Sequence, residues 1–126
     1  MLIETAGEES MESVVIYHNP GCGSSRGALS LLNERGAKLE VIEYLKKPPA
    51  RVDLERILKM LDSPPYDLVR KDKRFKELGL NPDDYSDAKS VIALLLKRPE
   101  LMQRPIVIRR GRAVIARPPE KLNELF

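Results

Sequence analysis

The feature that most limits the possible folds is a strand, a tight turn and a helix in direct succession near the start of the chain. The β-branched and aromatic run over 14–17 predicts a short buried strand. Turn-forming residues end this strand at Asn19-Pro20-Gly21. A helix is expected from Ser24 or Ser25, and Gly36 is expected to cap its C-terminus. This succession favours an α/β fold.

The order of the later elements narrows the α/β class further. A second strand over 38–44 would complete a β-α-β unit. The elements predicted after it are helices over 50–61, 66–76 and 86–97, hairpin strands over 105–109 and 113–116, and a helix over 118–126. We therefore predict a thioredoxin-like, glutaredoxin-type fold. In it, helices flank a mixed four-stranded sheet, and a helical insertion separates the β-α-β part from the β-β-α part.

Length and composition bear on domain organisation and location. With 126 residues, 42% hydrophobic and 33% charged, the chain has the size of a single domain, which we place at 14–126. Residues 1–13 contain glutamates and no basic residue, so we expect a flexible leader rather than a signal peptide. The apolar run over 91–96 is too short to cross a membrane. The single cysteine fits a reducing compartment, and we predict a cytoplasmic protein.

The net charge of +3 raises the question of a nucleic-acid partner. No nucleic-acid motif accompanies the basic residues, so we expect an ordinary basic surface, with neither nucleic acid nor membrane as a partner. One histidine and one cysteine are too few for a zinc site, and we predict no bound metal.

Cys22 is the candidate nucleophile. A lone cysteine is often a small buried hydrophobic residue, but Cys22 stands between glycines in a turn, and turns run along the surface. The start of a helix favours thiolate over thiol, because its free N–H groups attract an anion. Ser24 and Ser25 would add hydroxyl donors, or Ser24 would simply be the N-cap. The backbone N–H groups from Gly23 to Ser25 are equally candidates for binding a substrate oxyanion.

Two neighbours of Cys22 bear on its chemistry. His18, the only histidine, would lower the thiol pKa if its ring were protonated, or would be a structural residue satisfied by backbone or water. Thioredoxins and glutaredoxins carry Cys-x-x-Cys, whereas this chain has Ser25 and no other cysteine. Disulfide chemistry must therefore take its second thiol from another molecule.

A set of short motifs extends from the Cys22 loop almost to the end of the chain. They are Val15-Ile16-Tyr17-His18-Asn19-Pro20, Cys22-Gly23-Ser24-Ser25-Arg26, Tyr44-Leu45, Pro48-Pro49, Leu68-Val69-Arg70-Lys71, Leu78-Gly79-Leu80, Arg104-Pro105-Ile106-Val107 and Arg117-Pro118. Together they resemble the glutaredoxin-coupled bacterial arsenate reductases, and the resemblance covers nearly everything after the leader.

The resemblance implies three arginines that hold an oxyanion beside Cys22, and they fall at Arg70, Arg104 and Arg117. Up to three negative charges on arsenate and thiolate would face three positive ones, and a guanidinium can bind two oxygens at once. On sequence alone, Arg70 lies in a basic run that predicts a solvated helix face. From the resemblance we also predict that the Arg104–Pro105 bond is cis.

The activity implied is reduction of arsenate to arsenite through a thiolate–arsenic adduct, with glutathione as co-substrate and a glutaredoxin as partner. No cofactor is expected to be bound, and we expect a monomer. Two alternatives stay open: a reductase of another substrate, or a regulator like the Spx proteins, which bind RNA polymerase. Ser25 and the three arginines argue against the regulator. The predicted catalytic residues are His18, Cys22, Arg70, Arg104 and Arg117, and the predicted substrate-binding residues are Gly23, Ser24, Ser25 and the same arginines.

Overall fold

The computed structural model describes residues 13–126, which form two units. One contains 13–43 together with Arg104–Phe126, and the other contains Tyr44–Gln103. The predicted leader lies outside the described residues except for Ser13, which is the first residue of a strand. Ser13 therefore belongs to the sheet, while the leader over the residues before it and the single-domain assignment over 14–126 stay predictions.

The first unit is built on a mixed four-stranded sheet. Its strands are β1 (Ser13–His18), β2 (Lys38–Glu43), β3 (Ile106–Arg109) and β4 (Arg112–Ile115), in the order β2-β1-β3-β4. β1 pairs in parallel with β2 and antiparallel with β3, and β3 pairs antiparallel with β4. The predicted mixed sheet is confirmed, and the predicted strands are within one residue of the observed ones at each end.

The turn between β3 and β4 is shorter than predicted. Arg110 has a φ of 50° and Gly111 a φ of 74°, the left-handed pair that a two-residue hairpin turn requires. Arg112, expected in the turn, is therefore the first residue of β4.

Helix α1 (Gly23–Glu34) shares a hydrophobic core with the sheet. Ala28 and Leu32, four residues apart on one helix face, are buried with Val14 and Ile16, which point to one face of β1. The same cluster contains Val107, Val114, Ala116, Leu122 and Leu125. Burial of each of the larger side chains stabilises the fold by about 1.5–3 kcal/mol. The core therefore holds β1 and α1, and with them the turn that joins them.

The C-terminus of α1 forms as the glycine pattern predicts. Gly36 has a φ of 69° and follows the C-cap residue Arg35. Its N–H donates to the Asn33 carbonyl at 3.0 Å, and the next N–H donates to the Leu32 carbonyl at 3.2 Å. These two bonds make a Schellman motif, which satisfies carbonyls that the helix end would leave unpaired.

The closing segment is a 3-10 helix over Pro119–Leu125 rather than the α-helix predicted over 118–126. Pro118 is its N-cap, so the expectation that this proline lies in the first turn is wrong by one residue. A 3-10 helix has three residues per turn, and Leu122 and Leu125 consequently fall on one side. Both of these leucines are buried in the core, which explains the tighter helix.

The second unit, Tyr44–Gln103, is helical. Its α-helices are α2 (Arg51–Met60), α3 (Lys73–Glu77) and α4 (Ala88–Lys97), and its 3-10 helices are Pro65–Leu68, Pro82–Asp84 and Pro99–Leu101. Each 3-10 helix begins with a proline, which needs no N–H partner at a helix start. Within residues 13–126, no helix is both long enough and apolar enough to cross a membrane.

The helix predicted over 66–76 is wrong, because the chain is extended in its middle. Val69 forms an antiparallel bridge with Met102, and a helix resumes only after Asp72, the N-cap of α3. A capping residue needs a non-helical backbone, so one helix cannot run through this position. Arg70 therefore lies in an extended segment between two helices, and not on a solvated helix face.

Candidate active site

Cys22 is the N-cap residue of α1, at the end of the turn that follows β1. Its N–H donates to the Asn19 carbonyl at 3.0 Å, and the Asn19 side chain accepts from the Gly21 N–H at 2.9 Å. The Cys22 sulfur faces the free N–H groups at this end of α1. Ser24 is the second residue of α1, so its expected role as N-cap is wrong.

The surroundings of the Cys22 sulfur lower the pKa of its thiol to about 7. Partial burial alone would raise this pKa, but four hydrogen-bond donors outweigh that effect. In order of their effect they are the Ser25 N–H, the Arg104 guanidinium, the Ser24 N–H and the Arg117 guanidinium. The lowered pKa makes the thiolate accessible at neutral pH, and the thiolate is the nucleophilic form.

The β3–β4 hairpin brings two arginines to the sulfur. Arg104 comes two residues before β3 and Arg117 two residues after β4, and the antiparallel pairing places these flanks side by side. Arg117 Nη1 lies 3.5 Å from Cys22 Sγ and donates to the Arg104 carbonyl at 3.3 Å. Two of the three predicted arginines thus lie with the predicted nucleophile.

The guanidinium of Arg104 has a donor that the described residues leave unused. Its Nε is buried, and no acceptor within 13–126 pairs with it. A buried N–H without an acceptor costs free energy until an acceptor binds it. Beside a thiolate, this donor suits the oxygen of a second anion. The sequence gives no sign of this unpaired donor, because its isolation depends on how the Arg104 side chain is buried.

Both arginines precede a proline across a cis peptide bond, Arg104–Pro105 and Arg117–Pro118. The first bond confirms the prediction. The second lies outside the prediction, although the same Arg-Pro dipeptide in the sequence could have signalled it.

His18 and Ser25 form a buried pair, with 6% and 0% of their surfaces exposed. A hydrogen bond of 2.6 Å joins His18 Nδ1 to Ser25 Oγ, and the Asn19 N–H donates to the same oxygen at 2.9 Å. Burial lowers the pKa of His18. The negative charge of Glu43 raises this pKa and the positive charge of Arg26 lowers it further, so the net shift is downward. A lowered pKa favours the neutral imidazole at pH 7 over the protonated ring that would lower the thiol pKa. The structure supports the alternative, a satisfied histidine.

Ser25 contacts the sulfur through its N–H and not through its hydroxyl, which is engaged with His18. Ser24 likewise contributes its N–H. Gly23 is the exposed first residue of α1. The predicted substrate-binding role of these three residues stays a prediction.

Arg70 belongs to the second unit, where it is half-buried. Its Nε donates to the Asp72 carboxylate at 2.6 Å. Burial raises the pKa of this carboxyl, but the Arg70 hydrogen bond and the Phe75 N–H outweigh burial and lower it. The role of Arg70 beside Cys22 stays a prediction.

The chemistry available to this arrangement is that of an activated nucleophile. Among residues 13–126, no group of three His, Cys, Asp or Glu side chains could hold a metal ion. One thiolate between two guanidinium groups and two backbone N–H groups can attack an electrophilic centre that bears negatively charged oxygens.

Comparison with known proteins agrees with this arrangement. The model of the ArsC family matches residues 17–125, which include Cys22, Arg70, Arg104 and Arg117. An arsenate reductase of Neisseria meningitidis is 42% identical over 119 residues, 92% of this chain and 100% of that protein. The uncharacterized protein YfgD of Escherichia coli is 40% identical over 116 residues, 90% of this chain and 97% of that protein.

A solved structure extends the likeness to three dimensions. An arsenate reductase from Vibrio cholerae is 35% identical, with a TM-score of 0.78 over 91% of this chain and 98% of that chain. The four-stranded mixed sheet with its helices is thus the thioredoxin-like fold predicted from the element order. With a family match over most of its length, the chain belongs to the ArsC family.

Proposed function

We propose that this chain reduces arsenate to arsenite, with the Cys22 thiolate as nucleophile. The observation that carries the proposal is the placement of Arg104 and Arg117 against the Cys22 sulfur. The buried Arg104 Nε, which has no acceptor among residues 13–126, adds a donor for the substrate. Relatives named arsenate reductase, such as the Neisseria protein, support the choice of substrate.

Charge explains why the arginines are needed. Arsenate at neutral pH carries between one and two negative charges, and the thiolate carries another. Bringing these anions together in a partly desolvated site is costly unless cations offset their repulsion. Arg104 and Arg117 supply two positive charges, and Arg70 is proposed to supply the third when substrate is bound.

The first proposed step is a substitution at arsenic. The thiolate attacks, a sulfur–arsenic bond forms, an arsenic–oxygen bond breaks, and the oxygen leaves as water after taking up protons. Arsenic stays at oxidation state five in this step. The N–H groups of Gly23, Ser24 and Ser25 are proposed to bind arsenate oxygens during the attack. His18 is proposed to act as a neutral positioning residue that holds the turn through Ser25.

The reducing step needs two electrons from outside the chain, because Cys22 is its only cysteine. Glutathione is proposed to attack the adduct, and a glutaredoxin to supply the second thiol. Two external thiols become one disulfide, arsenic goes from state five to state three, and hydrolysis releases arsenite and the Cys22 thiolate. We accordingly propose a cytoplasmic activity, and a monomer that binds no cofactor.

A different oxyanion is the second candidate substrate, since guanidinium and N–H donors recognise charge and oxygen geometry rather than arsenic itself. The Spx-like alternative lacks support at position 25, where Spx proteins carry the second thiol of a redox switch. Here the Ser25 hydroxyl is buried and bound to His18.

The experiment follows arsenate-dependent NADPH consumption with glutathione, glutaredoxin and glutathione reductase supplied. Wild type should turn over, and Cys22→Ser should fold and give no turnover. Omission of glutaredoxin should stop wild-type turnover as well. Turnover near the wild-type rate in Cys22→Ser would remove this residue from the mechanism. A wild type with a reactive thiol but no arsenate turnover would point to the second candidate.

A further inference from the structure

Gly27 is an unexpected residue in the middle of α1. A glycine inside a helix costs stability relative to alanine, because it loses more backbone freedom on folding. Its backbone is not left-handed, unlike that of Gly36, so no unusual φ explains it. The reason for glycine must therefore lie in what this side of α1 contacts.

That contact is Pro119, the first residue of the closing 3-10 helix. A Cβ added at Gly27 would lie 2.9 Å from Pro119 Cγ and 3.4 Å from Pro119 Cβ. Carbon atoms pack at about 3.5–4.0 Å, so the shorter distance is a clash. A proline ring cannot rotate away, because it is closed onto its own backbone. Beyond a change of ring pucker, relief would require the Pro119 segment to move from α1.

The segment that holds Pro119 also carries Arg117. Ala116, three residues before Pro119, and Leu122, three residues after it, both tie the segment into the core, whereas Arg117 is exposed. A push on Pro119 therefore displaces the exposed residues between these two anchors, and Arg117 is one of them. The 3.3 Å contact from Arg117 to the Arg104 carbonyl is already long for a hydrogen bond, so a small withdrawal would break it.

The sulfur and the glycine are fixed to each other by α1 itself. Cys22 is the N-cap of α1 and Gly27 is its fifth residue, so the helix holds the two about 7.5 Å apart along its axis. The distance between α1 and the closing segment at Gly27 consequently sets the distance between the sulfur and the Arg117 guanidinium.

We propose that Gly27 is a positioning residue: its missing side chain lets Pro119 approach α1, and this approach places the Arg117 guanidinium against Cys22 Sγ. As a statement about arsenate reduction, the inference rests on the proposed function. As a statement about the thiolate, it does not.

The test measures the pKa of the Cys22 thiol from the pH dependence of its alkylation by iodoacetamide, in the full chain without arsenate. Gly27→Ala should raise this pKa, because one donor withdraws from the sulfur. Because Arg117 has the smallest effect of the four donors, we expect a rise of about half a pH unit, which would slow alkylation at pH 7 about two-fold. Ser30→Ala, an exposed change three residues further along α1, is the matched control and should leave the pKa unchanged.

A second variant tests the contact. In Gly27→Ala combined with Pro119→Ala, the clashing Cγ is absent, and the thiol pKa should return to the wild-type value. A wild-type pKa in a folded Gly27→Ala, with folding judged by circular dichroism, would overturn the proposal. A raised pKa that persists in the double variant would overturn it too. If Gly27→Ala alone does not fold, the double variant decides: a wild-type thiol pKa supports the proposal, and a raised thiol pKa overturns it.

Measuring arsenate turnover distinguishes a failure of this inference from a failure of the proposed function. Where wild type reduces arsenate, kcat/KM at pH 7 should fall in Gly27→Ala and recover in the double variant. A wild type without arsenate turnover counts against the proposed substrate alone, and the alkylation test still decides the role of Gly27.

Discussion

Arg104 and Arg117 reach the same sulfur, but their surroundings differ. Arg117 is exposed and donates to both the sulfur and the Arg104 carbonyl, whereas Arg104 is half-buried and keeps its Nε unpaired within 13–126. A buried cation with an unused donor gains more from an incoming oxyanion than an exposed one, because water screens it less. Arg104 is therefore expected to matter more than Arg117 for binding and attack.

Arg104→Ala should raise the pKa of the Cys22 thiol and lower kcat/KM for arsenate, at a cost on the order of 2–4 kcal/mol in the chemical step. Steady-state kinetics and pH-dependent alkylation measure the two effects. Arg112→Ala is the charge-matched control, because Arg112 lies at the opposite end of the same hairpin and donates to the Glu124 carbonyl. Equal losses in the two variants would mean that net charge, and not the Arg104 contact, governs the reaction.

Some residues of the site were open to prediction from the sequence and others were not. Cys22 stands out because a turn precedes it and a helix follows it. Which atom of Ser25 faces the sulfur, and whether His18 is charged, depend on the packing of residues seven apart across that turn. No sequence pattern expresses such a choice, so the Ser25 hydroxyl was wrongly expected to face the sulfur, and the two alternatives for His18 stayed open.

At the scale of elements, prolines and glycines explain the successes of prediction, and a long-range pairing explains the failed helix. Gly36, Pro48-Pro49 and Arg110-Gly111 separate elements by local backbone preference, so element order could be read directly. The break at Val69 depends instead on its bridge to Met102, far along the chain. A pairing between distant residues leaves no local trace, and the predicted helix over 66–76 therefore failed.

Helix α3 is only five residues long and depends on its cap, Asp72. Asp72→Ala removes the bond from the Phe75 N–H and the ion pair with Arg70, and should lower the free energy of unfolding by about 1 kcal/mol at pH 7. Asp72→Asn is the matched variant, since asparagine also caps helices but lacks the charge. Urea unfolding of the three chains separates the cap from the ion pair.

The pH dependence of this effect follows from the lowered pKa of Asp72. A carboxyl with a lowered folded pKa stabilises the fold above its ordinary value of about 3.9, and the stabilisation is lost as pH falls through the lowered value. The difference between wild type and Asp72→Ala should therefore shrink in acid. A difference that stays constant down to pH 2 would contradict the assignment.

For the whole molecule, the thioredoxin-like fold could be predicted from element order, because a β-α-β unit and a late β-hairpin allow few sheets. The arginines could not be placed that way, since nothing local to Arg104 or Arg117 marks either residue as functional. The resemblance of the chain to a known family first connects the two arginines to the thiolate. The β3–β4 hairpin, which puts both beside Cys22, then supplies the geometry.

A lowered thiol pKa also ties the stability of the whole molecule to pH. The folded thiol has a pKa of about 7, whereas an unfolded cysteine has one of about 8.5. Between these values the unfolded chain binds more protons, so the free energy of unfolding rises with pH. The thiolate stabilisation is fully present above the unfolded pKa and is lost as pH falls through about 7.

Cys22→Ser lacks this titration, so the free energy of unfolding of wild type minus that of Cys22→Ser should be larger at pH 9 than at pH 6. Urea unfolding under reducing conditions measures it. The lowered pKa of His18 also raises stability with pH near 6.5, but it is common to both chains and cancels in the difference. A difference that is the same at both pH values would mean that folding does not favour the thiolate, and the arginines would then need another explanation.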